Sequence, residues 1–172
     1  NSVLNARAGL YEVMPGIYQI RGFDLSNMTV IVGKTGYILV DPLTTMETAA
    51  AGLALVRAKL GNKPVTGIIY THSHADHFGG ARGVVDAADV KSGKVPIYAP
   101  EHFMDHAISE NVIAGNAMGR RADYMFGNLL DRDPYGIPSV GLGAERAGGT
   151  VTLSPPTHEV KTTGETAVID GV

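Results

Sequence analysis

Thr71-His72-Ser73-His74-Ala75-Asp76-His77-Phe78-Gly79-Gly80 is the stretch on which the reading of this chain turns. Within six positions, His72, His74, Asp76 and His77 offer three imidazoles and one carboxylate. Imidazole nitrogen and carboxylate oxygen suit borderline divalent cations such as zinc. So close a spacing does not fit one tetrahedral cage, and it reads as two half-sites sharing a loop. His72 and His74 then reach one cation, while Asp76 and His77 reach a second. A polar loop of solvated histidines is the plainer alternative, but ligand side chains at this density rarely serve packing alone.

The flanking sequence reads as a layered α/β domain. Residues 17–20, 28–32 and 37–40 have strand character, the last two joined by a hairpin connection at Gly33-Lys34-Thr35-Gly36. Residues 1–16 are mixed and close on the Pro15-Gly16 turn signal. Thr44-Thr45-Met46-Glu47 fits a capping box with Thr44 as N-cap. The helix after it is expected to bury Met46, Ala50, Leu53, Ala54 and Leu60 and to stop at Gly61-Asn62. Residues 65–70 form a buried-type strand that delivers the histidine loop, and a helix begins between Asp76 and Gly80. Gly79 and Gly80 lack Cβ atoms and permit that helix to approach the strands closely. A short strand follows at 96–99, then a helix from Pro100-Glu101 to about Gly115 and another over 117–130. From Asp131 onward Gly and Pro recur and periodicity is lost until Ala167-Val168-Ile169, which suggests a lid or substrate wall.

Composition narrows the function classes. With 172 residues the chain can bury a real core, and 44% hydrophobic against 18% charged residues is globular. A net charge of −3 without a basic stripe argues against nucleic acid as a partner. No apolar run reaches the length of a membrane span. With no cysteine, disulfides and thiolate zinc sites are both excluded.

His72-Ser73-His74-Ala75-Asp76-His77 matches the H-x-H-x-D-H pattern and resembles the metallo-β-lactamase superfamily, with Phe78-Gly79-Gly80 continuing the match. The run from Glu110 to Arg121, ENVIAGNAMGRR, is similar to the linear alkyl sulfatases, the branch that hydrolyses sodium dodecyl sulfate. The resemblance covers nearly the whole chain and is weak over the first ten residues and over 138–165. It implies an αββα sandwich, of which residues 1–172 are the N-terminal portion. It also implies two zinc ions and hydrolysis of an alkyl sulfate to alcohol and inorganic sulfate by a metal-activated water. A metal pair roughly 3.5–4 Å apart suits that chemistry, since it can clamp an oxyanion.

By the same resemblance, further zinc ligands and C-terminal domains are expected after Val172, so that this portion alone is inactive. The complete protein is expected to be a homodimer, periplasmic or secreted in a bacterium. Two other readings stand beside this one: a thioesterase or lactonase of the same superfamily, and a non-catalytic zinc-binding domain.

Glu145, His158, Glu159, Glu165 and Asp170 are the candidates within the chain for completing the metal site, although their contexts match no family motif. Asp41 ends a strand before the first long helix and reads equally as a helix-entry turn or as an acceptor that fixes a ligand histidine. Asn116, Arg120, Arg121 and Tyr135 are candidates for holding sulfate, the arginines because guanidinium meets oxyanions with paired donors. Glu110 and Asp123 are available as ordinary ion-pair partners for those arginines. His102 and His106 read as a solvated helix face, and Met104, Met118 and Met125 as core or as the lining of an alkyl-chain tunnel.

Overall fold

The computed structural model describes residues 2–140, 143 and 145–172. Among these, one mixed sheet carries its strands in chain order: β1 (Gly9–Met14), β2 (Ile17–Arg21), β3 (Met28–Val32), β4 (Tyr37–Val40), β5 (Val65–Ile69), β6 (Ile97–Pro100) and β7 (His158–Val160). Pairing is antiparallel from β1 to β4 and parallel from β4 to β7. The helices are α1 (Ser2–Asn5), α2 (Met46–Leu60), α3 (Ala75–Phe78), α4 (Ala87–Lys91), α5 (Phe103–Ile108) and α6 (Gly115–Phe126). This is the expected α/β class, with one sheet of the αββα sandwich among the described residues.

Tyr37, Ile38 and Leu39 are buried in succession, as a central strand with both faces covered requires. β1 was hidden in a stretch that reads as mixed; its outer half, Glu12, Val13 and Met14, is exposed, so no alternation marks it. Residues 167–169 form no strand: Ile169 instead lays its side chain over Gly67, where an added Cβ would collide with it.

The start of α2 differs from its expected capping box. Thr45, not Thr44, is the N-cap, accepting from the Thr48 amide. Thr44 is held instead by its own amide, which donates to buried Asp24 at 2.8 Å. Glu47 closes no capping box with Thr44; its carboxylate accepts from the Thr150 amide and hydroxyl, both at 2.9 Å. Those bonds hold its pKa below the usual carboxylate value, the Thr150 amide first among them. The buried face is Ala49, Gly52, Leu53 and Val56, whereas Ala50 and Ala54 are exposed. Alanines on both sides of the helix gave the periodicity too little contrast to fix its rotation.

The helix expected up to Gly115 is two pieces. His102 holds φ at 62°, so α5 starts only at Phe103. It passes into a π-helical turn over Ser109–Ile113, closed by the Ala114 amide on the Ser109 carbonyl at 2.9 Å. The second helix ends at Phe126 instead of Leu130, because Gly127 turns left-handed at φ 68°.

Residues 145–157 are an irregular strap, not a free lid. The Ala147 amide donates to Asp24, Thr150 O accepts from Met46, and Thr152 bonds Gly79. Tyr70 donates to Ser154 O, and Thr157 bonds Ile97.

Gly79 and Gly80 do permit a close approach, but to the turn after β4 and not to the strands. A Cβ on Gly79 would overlap Thr44 O, and one on Gly80 would overlap Pro42 O. Gly115 has open space around it. Gly80→Ala is therefore expected to cost about 1–3 kcal/mol through overpacking, whereas Gly115→Ala stays neutral or gains up to ~1 kcal/mol. Urea unfolding midpoints of the two variants check the contrast.

Candidate metal centre

The parallel strands deliver their carboxyl ends to one edge of the sheet, the usual place for a site in an open α/β sheet. β4 is followed directly by Asp41, and β5 by Tyr70-Thr71 just before the histidine loop. Beneath the loop, Tyr70 stacks on Phe103 with centroids 5.0 Å apart, and Phe78 meets both rings edge-on. These buried aromatics fix where the loop begins and ends. The Ser26 hydroxyl donates to the Asp76 carbonyl and ties the middle down.

Asp41 organises the loop. Its residue is 8% exposed and its backbone adopts φ 55°, a left-handed conformation unusual for a residue with a side chain. Oδ1 accepts from the Thr71 amide at 2.8 Å, and Oδ2 accepts from the Thr71 hydroxyl at 2.7 Å and from His77 Nδ1 at 2.9 Å. Of the two readings its sequence position allowed, the acceptor that fixes a histidine is the one the geometry bears out.

The protons follow from these contacts. Since the Thr71 hydroxyl gives its proton to Asp41, it must accept from His72 Nδ1, 3.0 Å away. His72 Nε2 is then left with a free lone pair. His77 likewise donates through Nδ1, so its Nε2 is the atom that meets Asp76 Oδ2 at 3.2 Å.

The donors converge. The His72 ring lies 4.0 Å from that of His77 and 4.6 Å from that of His74, centroid to centroid. Two ligand atoms on one tetrahedral zinc, each about 2.0–2.1 Å from it, stand roughly 3.3 Å apart. The Asp76–His77 separation of 3.2 Å already has that value. Among the described residues, however, no three of these side chains enclose a common point. The donor set fits a divalent cation in kind, one pair of donors stands at ligand spacing, and among the described residues the loop closes no cage.

The site's charges reflect this crowding. Burial opposes a charge on His77, but hydrogen bonds to Asp41 and Asp76 outweigh it and lift the imidazolium pKa to about 9. His72 is shifted down, by burial first and then by the positive charge of His77 and His74. Burial would raise Asp76, yet its bond to His77 prevails and lowers it.

None of the five candidates within the chain for completing the metal site joins the loop. Asp170 sits at the opposite end of the sheet, accepting from the amides and hydroxyl of the β3–β4 hairpin: Thr35 N, Thr35 Oγ1 and Gly36 N. Those bonds, Thr35's side chain first, pull its pKa down. Glu145 pairs with Arg132 at 3.0 Å, and Glu165 accepts from the Lys161 amide. His158 stacks on Tyr98 and Glu159 is exposed, both in the edge strand β7. Each lies in a segment whose course through space no local pattern reveals.

Glu110 joins instead, its Oε1 3.0 Å from His74 Nε2. Asn116, Arg120 and Arg121 lie exposed on α6, and Tyr135 is 99% exposed in a turn. Among the described residues none of the four bonds to the loop, and neither arginine forms an ion pair. Asp123, once their expected partner, bonds Asn128. His102 pairs with Asp105 on the surface, as a solvated helix face implies, and Met125 is exposed while Met104 packs against the core.

A family model described as the metallo-β-lactamase superfamily matches residues 21–170. The chain belongs to the metallo-β-lactamase superfamily. Within it, the chain is 59% identical over 165 residues to a linear primary-alkylsulfatase of Pseudomonas sp, a match covering 96% of this chain and 24% of that protein. An (R)-specific secondary-alkylsulfatase of Pseudomonas sp is 48% identical over 170 residues, covering 98% of this chain and 26% of the relative. The solved stereoselective inverting sec-alkylsulfatase Pisa1 from Pseudomonas sp. superposes with a TM-score of 0.92 at 47% identity, over 99% of this chain and 27% of that one. The chain thus spans about a quarter of the length of these relatives. Membership of this metallo-β-lactamase superfamily implies metal binding.

The raised His77 pKa has a measurable consequence in metal-free protein. A pKa of about 9 in the folded state against ~6.5 unfolded means His77 stabilises fully below ~6.5. That contribution declines as pH rises and is gone above about 9. With chelator present, the gap in urea midpoint between wild type and His77→Gln is expected to shrink from pH 6 to pH 9.5; a gap that widens contradicts the Asp41–His77–Asp76 arrangement.

Proposed function

We propose that this protein hydrolyses alkyl sulfate esters, with His72, His74, Asp76 and His77 holding the zinc ions of a binuclear site. The observation that carries the reading is 48–59% identity to proteins named alkylsulfatases across almost the whole chain. The geometry supports it independently, because the loop presents imidazole and carboxylate donors at ligand spacing over a rigid aromatic base. A donor set without thiolate suits zinc. When bound, zinc supplies Lewis acidity, lowering the pKa of water and withdrawing charge from the ester. In this proposal these residues, which span about a quarter of the length of those relatives, contribute one wall of the site.

The chain's own residues have definite tasks. Asp41 accepts a hydrogen bond from His77 Nδ1–H, and Thr71, which itself donates to Asp41, accepts one from His72 Nδ1–H, so each ring keeps Nε2 for the cation. His77 must surrender its extra proton before Nε2 can bind, and its 3.2 Å contact with Asp76 marks the place. Arg120, Arg121 and Asn116 ride on the helix that continues from the turn contacting the loop, and we assign them, with Tyr135, to the sulfate group. Guanidinium N–H pairs match two oxygens of a sulfate ester at once.

Sulfate release from dodecyl sulfate tests the reading. The full-length protein is expected to turn it over and to lose activity to a chelator, and its Asp76→Asn variant to fall by more than about a hundredfold. Turnover of a thioester or lactone with none of the sulfate would place the protein elsewhere in the superfamily. Zinc binding at pH 7.5 is expected to release about one proton from His77. Calorimetry in buffers of different ionisation enthalpy reads that number, and a value near zero contradicts the assigned protonation.

A further inference from the structure

His72 and His77 are both oriented through Asp41, but His74 makes no contact with that carboxylate. Its partner comes from another element. The π-helical turn Ser109–Ile113 brings Glu110 over the loop, with Oε1 3.0 Å from His74 Nε2 and Oε2 3.5 Å from the Ser73 hydroxyl. The next residue, Asn111, donates its amide to Ser73 O at 3.0 Å and to Ala107 O at 2.9 Å. A π turn widens the helix by one residue, and here two successive side chains reach the same loop. A regular α-helix would direct neighbours about 100° apart.

We propose that Glu110 is a positioning residue that fixes His74 as its Nε2–H tautomer, leaving Nδ1 as the atom that meets a cation. A carboxylate only accepts, so Nε2 must donate to it; a neutral imidazole has one proton, so the lone pair is then on Nδ1. The inference rests on the metal-binding role of His74 proposed above. It gives the loop two kinds of donor atom, Nε2 from His72 and His77 and Nδ1 from His74, each selected by a carboxylate outside the motif.

The exposure of the pair says where the effect will be seen. The His74 side chain is 56% exposed and Glu110 24%, so the contact contributes little to folding. Its consequence is in ring orientation and proton position, which separates a positioning role from a structural one.

The test uses metal-free protein labelled with 15N at histidine, at a pH where the rings are neutral. In wild type the His74 proton is expected on Nε2. In Glu110→Ala it is expected to spread over both nitrogens, and in Glu110→Gln, whose amide oxygen accepts the same proton, to return to Nε2. Titration with Co2+, followed by visible absorption, is expected to show affinity about 10–100-fold weaker in Glu110→Ala, partly restored in Glu110→Gln, at an unchanged unfolding midpoint. A wild-type proton on Nδ1, or wild-type Co2+ affinity in Glu110→Ala, overturns the proposal. If wild type shows the Nε2–H tautomer but takes up no Co2+, the metal reading of His74 falls while its contact with Glu110 stands.

Discussion

A carboxylate at the end of a central strand would be costly to enclose without partners. Asp41 is enclosed, and it meets the requirement by accepting three hydrogen bonds, two from Thr71 and one from His77. That need for partners joins the ends of β4 and β5 and sets the direction of the histidine rings. The left-handed backbone at Asp41 and at Leu43 is part of the same arrangement, since it turns the carboxylate back over the sheet edge before the chain enters α2. Gly79 and Gly80 then let the segment after the loop lie directly on that turn, and Gly83 lets it lie against the start of α2. The site is a consequence of how two strand ends are held together.

The same physical solution recurs with different residues, at the opposite end of the sheet for Asp170 and at the site's own end for Asp24. Asp170 accepts from the amides and hydroxyl of the β3–β4 hairpin, and Asp24 gathers the amides of Leu25, Thr44 and Ala147. In each case a carboxylate satisfies backbone donors at a turn that no ladder bond reaches. The acidic residues near the metal loop and those far from it thus differ in partner more than in burial, which is why acidity alone is a poor guide to metal ligation here.

How much of this was legible in the sequence depends on the range of the interaction that decides it. β3 and β4 were readable to the residue because β-branched and apolar side chains run unbroken between clear turn signals. The loop was readable because its candidate ligands are neighbours in sequence. β1 was missed because its outer half faces solvent, and the N-cap moved from Thr44 to Thr45 because Asp24, twenty residues earlier, takes the Thr44 amide. Glu110 stood in plain view as a possible partner for arginines, yet it sits in a π-helical turn that no sequence signal marked, and there it meets His74. Asp170 looked like a ligand for the same reason in reverse: its hairpin partners lie more than a hundred residues away.

The central claim is that the 3.2 Å gap between Asp76 and His77, with the rings around it, is a place made for a cation. Anomalous scattering at the zinc edge, from crystals of the intact protein grown with zinc, tests it most directly. The account calls for a strong peak between the Asp76 carboxylate and His77 Nε2, with Nδ1 of His77 still on Asp41. A map without such a peak, in which those two side chains remain bonded to each other, would contradict it.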